Sequence, residues 1–543
     1  MLPMRRLLSA VLVLLITSAQ FGCEDDTELP DELRPNIIWL VAEDQSPDFF
    51  PMYGDSTISL PNLEALANEG VIFNNAYSPV PVCAPARSAL ITGMYPTTLG
   101  THNMRTYNAY RTDNEPTLEI PSYSPVVPQG VKMFTEYLRQ RGYYCTNNSK
   151  EDYNFRKTGV AWDESSPDAH WRNRTRNAPF FSVFNFNVCH ESQIWKRGKD
   201  ELLVSPDSVN VPAYFPDIPE IRHDIAVNYS NLIRLDNQIG EIIKQLREDD
   251  LYENSIIFFY GDHGGPFPRH KRALYETGVK VPLVIKFQDN QKKYDYDDRF
   301  ISFVDFAPTV LSLAGIEPPK VMQGKAQFGD YSSEVASEYV FFSSDRFDGM
   351  VDRIRAVRFQ RFKYIKNFNT EISNALPVVY REQMPMMQQL NELWEKNELD
   401  SLQSLWFRTP KPEEELYDLE ADPFEYVNLA GKEEFKDTLD LLRNVLKDWI
   451  KNTNDLGQYP EKELMAKWLP DGKPQQLPAL EMEDKEGKIR LFSKQSDATI
   501  IWKQPKDSIW QFFNDPLPND KSFMAKAVRI GFEDSEVLEV EVE

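Results

Sequence analysis

The 543-residue chain has four cysteines and six histidines. So few cysteines exclude a disulfide scaffold. Basic residues are the scarcer charge: 60 Lys plus Arg stand against 84 Asp plus Glu, a net charge of -24. Duplex binding needs a basic footprint, so this balance excludes a nucleic-acid partner. No apolar run reaches the roughly 20 residues that span a bilayer. What is present, 41% hydrophobic and 27% charged residues, describes a globular protein with a large core. At roughly 150 residues per domain the length corresponds to about three domains.

Arg5 and Arg6 precede a short apolar run at 7–16, and small and polar residues then lead to Gly22-Cys23. This is the pattern of an export signal with a cleavage site. Residues 1–22 read as a signal peptide and the acidic stretch 23–34 as a tether. Cys23, as a new N-terminus, would carry a lipid anchor; simple secretion is the alternative. The expected location is the periplasm or cell surface.

Residues 35–42 form an apolar, β-branched run that ends in Glu43-Asp44 and reads as a buried strand. Helical spacing over 60–70, 131–141, 220–249 and 303–314 alternates with strand patterns at 143–145, 180–188, 255–260 and 281–285. That alternation predicts an α/β fold with a large, mostly parallel sheet covered by helices on both faces. The catalytic α/β domain is assigned to 35–330. Short strands at 339–342, 354–359 and 362–365, a turn-rich segment at 416–430 and a helix at 435–450 predict a smaller α+β subdomain over 331–468. Residues 469–478 read as a linker and 479–543 as a small β-module.

Ligands of such sheets bind at the carboxyl ends of the strands, and several chemistry-bearing residues fall there. Cys83-Ala84-Pro85-Ala86-Arg87 opens a predicted helix that continues Ser88-Ala89-Leu90-Ile91-Thr92-Gly93. A cysteine at a helix N-terminus meets the positive end of the dipole and unpaired N–H groups. The pattern C-x-P-x-R followed by S-x-L-x-T-G resembles the sulfatase family, whose fold is alkaline-phosphatase-like and whose cysteine is converted after translation to formylglycine. Glu43 and Asp44 match the acidic metal ligands of that family, and Asp262 and His263 match its Asp-Asn/His pair. The resemblance implies a metal set of Glu43, Asp44, Cys83, Asp262 and His263 around Ca²⁺, with Mg²⁺ as the alternative. It also implies a formylglycine-generating maturation enzyme as a partner.

By the same resemblance Arg87 orients residue 83, Lys150 and Lys271 bind sulfate, and His190 is the general acid. Asp152 stands where many sulfatases have His, which leaves the base for sulfate elimination open. The segment from Cys145 to Phe155 is similar to a bacterial branch that includes heparan N-sulfatase-like enzymes. His102, Asp345, Arg346 and Asp348 are candidate substrate contacts on loops. Cys145 and Cys189, both at strand ends, leave a disulfide open as a minority alternative. His170 and His223 read as surface residues.

The implied function is an exported sulfatase acting on sulfate esters, or N-sulfate, of a glycan. The alternatives are a phosphatase or phosphodiesterase of the same superfamily and a non-catalytic glycan-binding lipoprotein. Local charge adds one expectation. Residues 266–286 hold five basic residues and one acid, and residues 346–366 hold seven and two. With screening over about 8 Å, such segments are expected to form basic pockets for an anionic substrate.

Overall fold

The computed structural model describes residues 34–107, 120–174, 178–288 and 295–542. The signal peptide and nearly all of the tether, Cys23 included, lie outside the described residues.

The first domain is built on a sheet of nine strands: β1 (Asn36–Ala42), β2 (Val71–Tyr77), β3 (Tyr144–Asn148), β4 (Glu164–Ser165), β5 (Phe180–Phe186), β6 (Ser255–Gly261), β7 (Lys280–Val281), β8 (Leu283–Lys286) and β9 (Asp295–Ser302). The order is β4-β3-β5-β1-β6-β8-β2-β7, with β9 beside β2. From β4 to β6 every pairing is parallel, and β8 runs antiparallel between β6 and β2. Every residue of β1 is buried. Ile38, Leu40 and Ala42 enter one hydrophobic cluster, with the long helix Pro219–Glu248. Ile37, Trp39 and Val41 enter another, with Cys83–Thr92, Phe134–Gln140 and Phe306–Leu313. The two-residue period of a strand thus feeds apolar side chains to helices on both faces.

Pro282 breaks the expected strand at 281–285 into β7 and β8, because proline lacks the N–H a ladder needs. Strand β9, DYDDRFIS, was not expected. It is mostly polar and only its last two residues are buried, so it lacks a buried strand's signature. Cys145 and Cys189 are buried free thiols, which overturns the disulfide alternative. His170 is half-buried beside Trp171, with ring centroids 3.9 Å apart.

The second sheet is antiparallel, β10 (Tyr339–Ser344), β11 (Ile354–Phe359), β12 (Phe362–Asn367) and β13 (Glu414–Asp418), in that order. Its core packs against the helix Lys436–Asn452. The basic run 346–366 is not a pocket. Arg355 is fully buried between Asp345 at 3.0 Å and Asp455 at 2.6 Å. Arg358 and Lys363 lie 2.8 and 3.1 Å from Glu276 of the first domain. Much of this run therefore fastens the subdomain internally and to the catalytic sheet.

The C-terminal strands are β14 (Glu481–Lys485), β15 (Lys488–Phe492), β16 (Thr499–Lys503), β17 (Gln511–Phe512), β18 (Leu517–Pro518), β19 (Phe523–Val528) and β20 (Leu538–Val540). They form two antiparallel sheets, β14-β15-β18 and β17-β16-β19-β20, around a small shared core. Beyond β19, Ile530 is buried in the catalytic domain's own cluster. In the segment expected to be a linker, Leu469 and Leu477 are both buried. The module is docked rather than hung on a free tether.

Candidate active site

Strands β1, β5, β6 and β3 end at one edge of the sheet and release Glu43-Asp44, His190, Asp262-His263 and Lys150 through Asp152 there. Cys83 arrives as the first residue of a helix in which every residue is buried. The helix's free N–H groups and dipole favour negative charge at that point.

Asp44 is the hub. It holds a left-handed φ of 55°, which costs a non-glycine residue energy unless its surroundings fix it. Its N–H donates to Asp262 Oδ1 at 3.0 Å, and its Oδ2 accepts from the Glu191 N–H at 2.6 Å. Lys271 Nζ is 2.8 Å from Oδ2, and His263 Nε2 is 3.0 Å from Oδ1. Cys83 Sγ lies 3.2 Å from His263 Nε2 and 3.8 Å from Asp44 Oδ1. His263 Nδ1 faces the Gly264 carbonyl oxygen at 3.0 Å, so Nδ1 carries a proton and Nε2 points at Cys83 and Asp44.

The cations decide the ionisation states. Burial alone would raise the Asp44 carboxyl, but Lys271, His190 and His263 hold it well below the usual carboxylate range. Burial also opposes ionisation of Asp262, yet His263, Arg87 and Lys150 hold its pKa at about 2. The Cys83 thiol, raised by burial, is brought down to about 6 by Lys150 and Lys271. His263 is lowered by burial but carried up to about 10 by Asp262, Cys83 and Asp44. That affinity measures the negative charge around Nε2, where a proton and a metal ion would compete.

Arg87 donates to Asn185 Oδ1 at 2.6 Å and Asp262 Oδ2 at 3.0 Å. Lys150 Nζ is 3.1 Å from Glu43 Oε2 and 4.0 Å from Asp152 Oδ2. Glu191 accepts both arms of Arg272 at 2.8 Å and lies 3.0 Å from Lys271. The Ser192 N–H donates to His190 Nδ1 at 3.2 Å. The His190 Nε2 lies 3.4 Å from Lys271 Nζ.

Asp44, Cys83, Asp262 and His263 are buried and bring one donor atom each to within 4.8 Å of one another. Glu43 is not in that group; its carboxylate faces Lys150 and Arg87, and neither of its oxygens accepts a hydrogen bond. Carboxylate oxygens at this density suit a hard divalent cation such as Ca²⁺ or Mg²⁺.

A cavity of about 810 Å³ opens over this centre, and Cys83, Lys150, Asp152, His190 and Lys271 all line it. His102, Asp345, Arg346 and Asp348, expected as substrate contacts, are not on its wall. His102, Asp345 and Arg346 are buried, and three of the four serve contacts between segments: Asp345 with Arg355, Arg346 with Glu461, Asp348 with Arg105. Glu191, Arg272, Arg105 and Tyr380 line the cavity without having been singled out from sequence. The first two adjoin His190 and Lys271, which was the available signal. Tyr380 carries none, because it comes from an irregular segment of the other domain.

The family model described as "Sulfatase" matches residues 35–316, and that described as "N-sulphoglucosamine sulphohydrolase, C-terminal" matches residues 261–409. An "Ulvan-active sulfatase" of Formosa agariphila is 40% identical over 95% of this chain and 93% of its own length. Human "N-sulphoglucosamine sulphohydrolase" is 24% identical over 78% of this chain and 91% of its own. A structure solved with its substrate D-glucosamine-2-N,6-O-disulfate superposes with a TM-score of 0.54 at 18% identity, over 78% of this chain and 98% of that one. The fold is also shared with the phosphonate monoester hydrolase of Agrobacterium radiobacter, at a TM-score of 0.52 and 15% identity over 77% of this chain and 96% of that one. The chain belongs to the sulfatase family, hydrolases of sulfate esters on an alkaline-phosphatase-like fold.

Proposed function

We infer that this sulfatase is exported and removes sulfate from a sulfated glycan, with residue 83 converted from cysteine to formylglycine. The observation that carries the reading is the seat of Cys83: a buried helix N-terminus facing Asp44 and His263, with Lys150 and Lys271 on the same cavity. The 40% identical relative is named as active on ulvan, which makes ulvan the first glycan to assay.

As formylglycine hydrate, residue 83 would supply an oxygen nucleophile. A divalent cation held by Asp44, Asp262 and His263, with Glu43 beside them, would acidify that oxygen and offset sulfate charge. The chain's own groups do the rest. Arg87 fixes Asp262 through its 3.0 Å hydrogen bond. Lys150 and Lys271 supply positive charge to the sulfate oxygens. His190, on the cavity wall, serves as the proton donor to the departing oxygen. Asp152, 4.0 Å from Lys150, is placed to accept a proton during sulfate elimination, in the position where many sulfatases have histidine.

Export rests on the signal-like N-terminus, and among the described residues no helix is long and apolar enough to cross a membrane. The test is sulfate release from ulvan oligosaccharides by protein from the native host, with peptide mass spectrometry of residue 83. Release together with the formylglycine mass supports the reading; release by protein carrying only unmodified cysteine overturns the proposed nucleophile.

A further inference from the structure

The cavity is far larger than one sulfate group, and its lining is cationic despite the chain's net charge of -24. Lys150 and Lys271 serve the sulfate end. Arg105 stands on another wall, and three observations set it apart.

First, Arg105 is built in. It has a left-handed φ of 57°, and its partner Asp348, 3.1 Å away, has one of 48°. Two such residues facing each other across a domain boundary require a framework that over-determines them. Arg346 is that framework. Its N–H donates to Asn103 Oδ1 at 3.1 Å and its carbonyl accepts from the Met104 N–H at 2.8 Å. Its guanidinium binds the carbonyl oxygens of Met104 and Asp348 at 3.0 and 2.7 Å, and Glu461 at 2.7 and 2.8 Å. The loop before Arg105 and the loop at Asp348 are thereby stapled together.

Second, the pair is oriented. The Asp348 side chain is 6% exposed and that of Arg105 is 23% exposed. A buried acid stands behind a cation that fronts the cavity. Lys150 over Glu43, at 26% and 1%, repeats the construction at the sulfate end.

Third, Arg105 is linked to His190 through Tyr380. Its guanidinium lies over the Tyr380 ring, 5.2 Å from the centroid, and Tyr380 meets the His190 ring at 6.3 Å between centroids. One aromatic ring therefore separates Arg105 from the proton donor. Tyr380 gives the guanidinium a cation–π contact, and a planar guanidinium is matched to a carboxylate or sulfate.

We propose that Arg105 and Tyr380 form a subsite for an acidic group of the glycan other than the sulfate being removed, either a carboxylate or a second sulfate. The subsite rests on the sulfatase reading for its substrate class, and its test does not depend on turnover. Three probes suffice: a sulfated disaccharide bearing one uronate and one additional sulfate, its carboxyl-reduced form, and the form lacking the additional sulfate. Binding is measured by calorimetry on a Cys83→Ala background, with and without Arg105→Gln, and KM and kcat on the otherwise native enzyme. Loss of a charged hydrogen-bonded contact is expected to weaken the full probe by about tenfold or more. The probe lacking the recognised acid should bind both proteins alike, which tells carboxylate from sulfate. KM should rise while kcat holds, and Arg105→Lys should restore part of the affinity. Equal weakening of all three probes, a fall in kcat alone, or no change would overturn the subsite. Absence of sulfate release from every probe would instead count against the sulfatase reading, with the binding comparison still deciding the subsite.

Discussion

Lys271 Nζ lies 2.8 Å from Asp44 Oδ2 and 3.0 Å from Glu191 Oε1, so one buried ammonium is shared by the carboxylates that follow β1 and β5. Those two strands are neighbours in the sheet. Arg272 also pairs with Glu191 and His263 also meets Asp44, and Lys271 is the cation common to both carboxylates.

Lys271→Met is therefore expected to damage both stability and activity. Glu191 keeps Arg272 and Asp44 keeps His263, so the lost charged hydrogen bonds are expected to cost about 1–3 kcal/mol. A denaturant titration should show a loss of that order, and sulfate release should fall at least a hundredfold if Lys271 also binds sulfate. A stable, active variant would remove Lys271 from both roles.

Cys83→Ala should abolish sulfate release and leave the fold intact, since it removes one sulfur atom from the end of a buried helix. Circular dichroism and thermal unfolding should match the parent within a few degrees. Full-rate turnover by this variant would rule out residue 83 as the nucleophile.

Asp262→Asn should lose bound metal and activity together. The substitution removes the charge that faces Arg87 and His263, while Asn can still accept the Asp44 N–H. Metal content by plasma mass spectrometry decides the matter, and unchanged occupancy would take Asp262 off the ligand set.

Gly531→Ala should loosen the terminal module. Gly531 has a left-handed φ of +88°, and a Cβ there would come 2.4 Å from the Pro125 carbonyl oxygen and 2.6 Å from Val126 Cα. Strain of this kind costs about 1–3 kcal/mol. A lower unfolding midpoint is the expected result, and an unchanged one would mean that the 125–126 loop gives way freely.

The parts of the fold visible in sequence were those with a local signature. The continuous apolar run of β1 and the long amphipathic helix Pro219–Glu248 announced themselves by period. The Cys83 motif and the acids after β1 and β6 could be placed because strand ends share one edge. Arg105 and Tyr380 could not, because their apposition joins positions 275 residues apart (380 minus 105) through packing alone. The basic run at 346–366 misled for a related reason: composition counts charges but does not show that Arg355, Arg358 and Lys363 already have buried acidic partners.

Ile530 fills a place in the core that also holds residues of the helix carrying Cys83. Cys83 itself is only 1% exposed in the folded chain. The C-terminal module thus helps to seal the core beneath the helix that presents Cys83, and an enzyme that alters this side chain would have to act before that core is sealed.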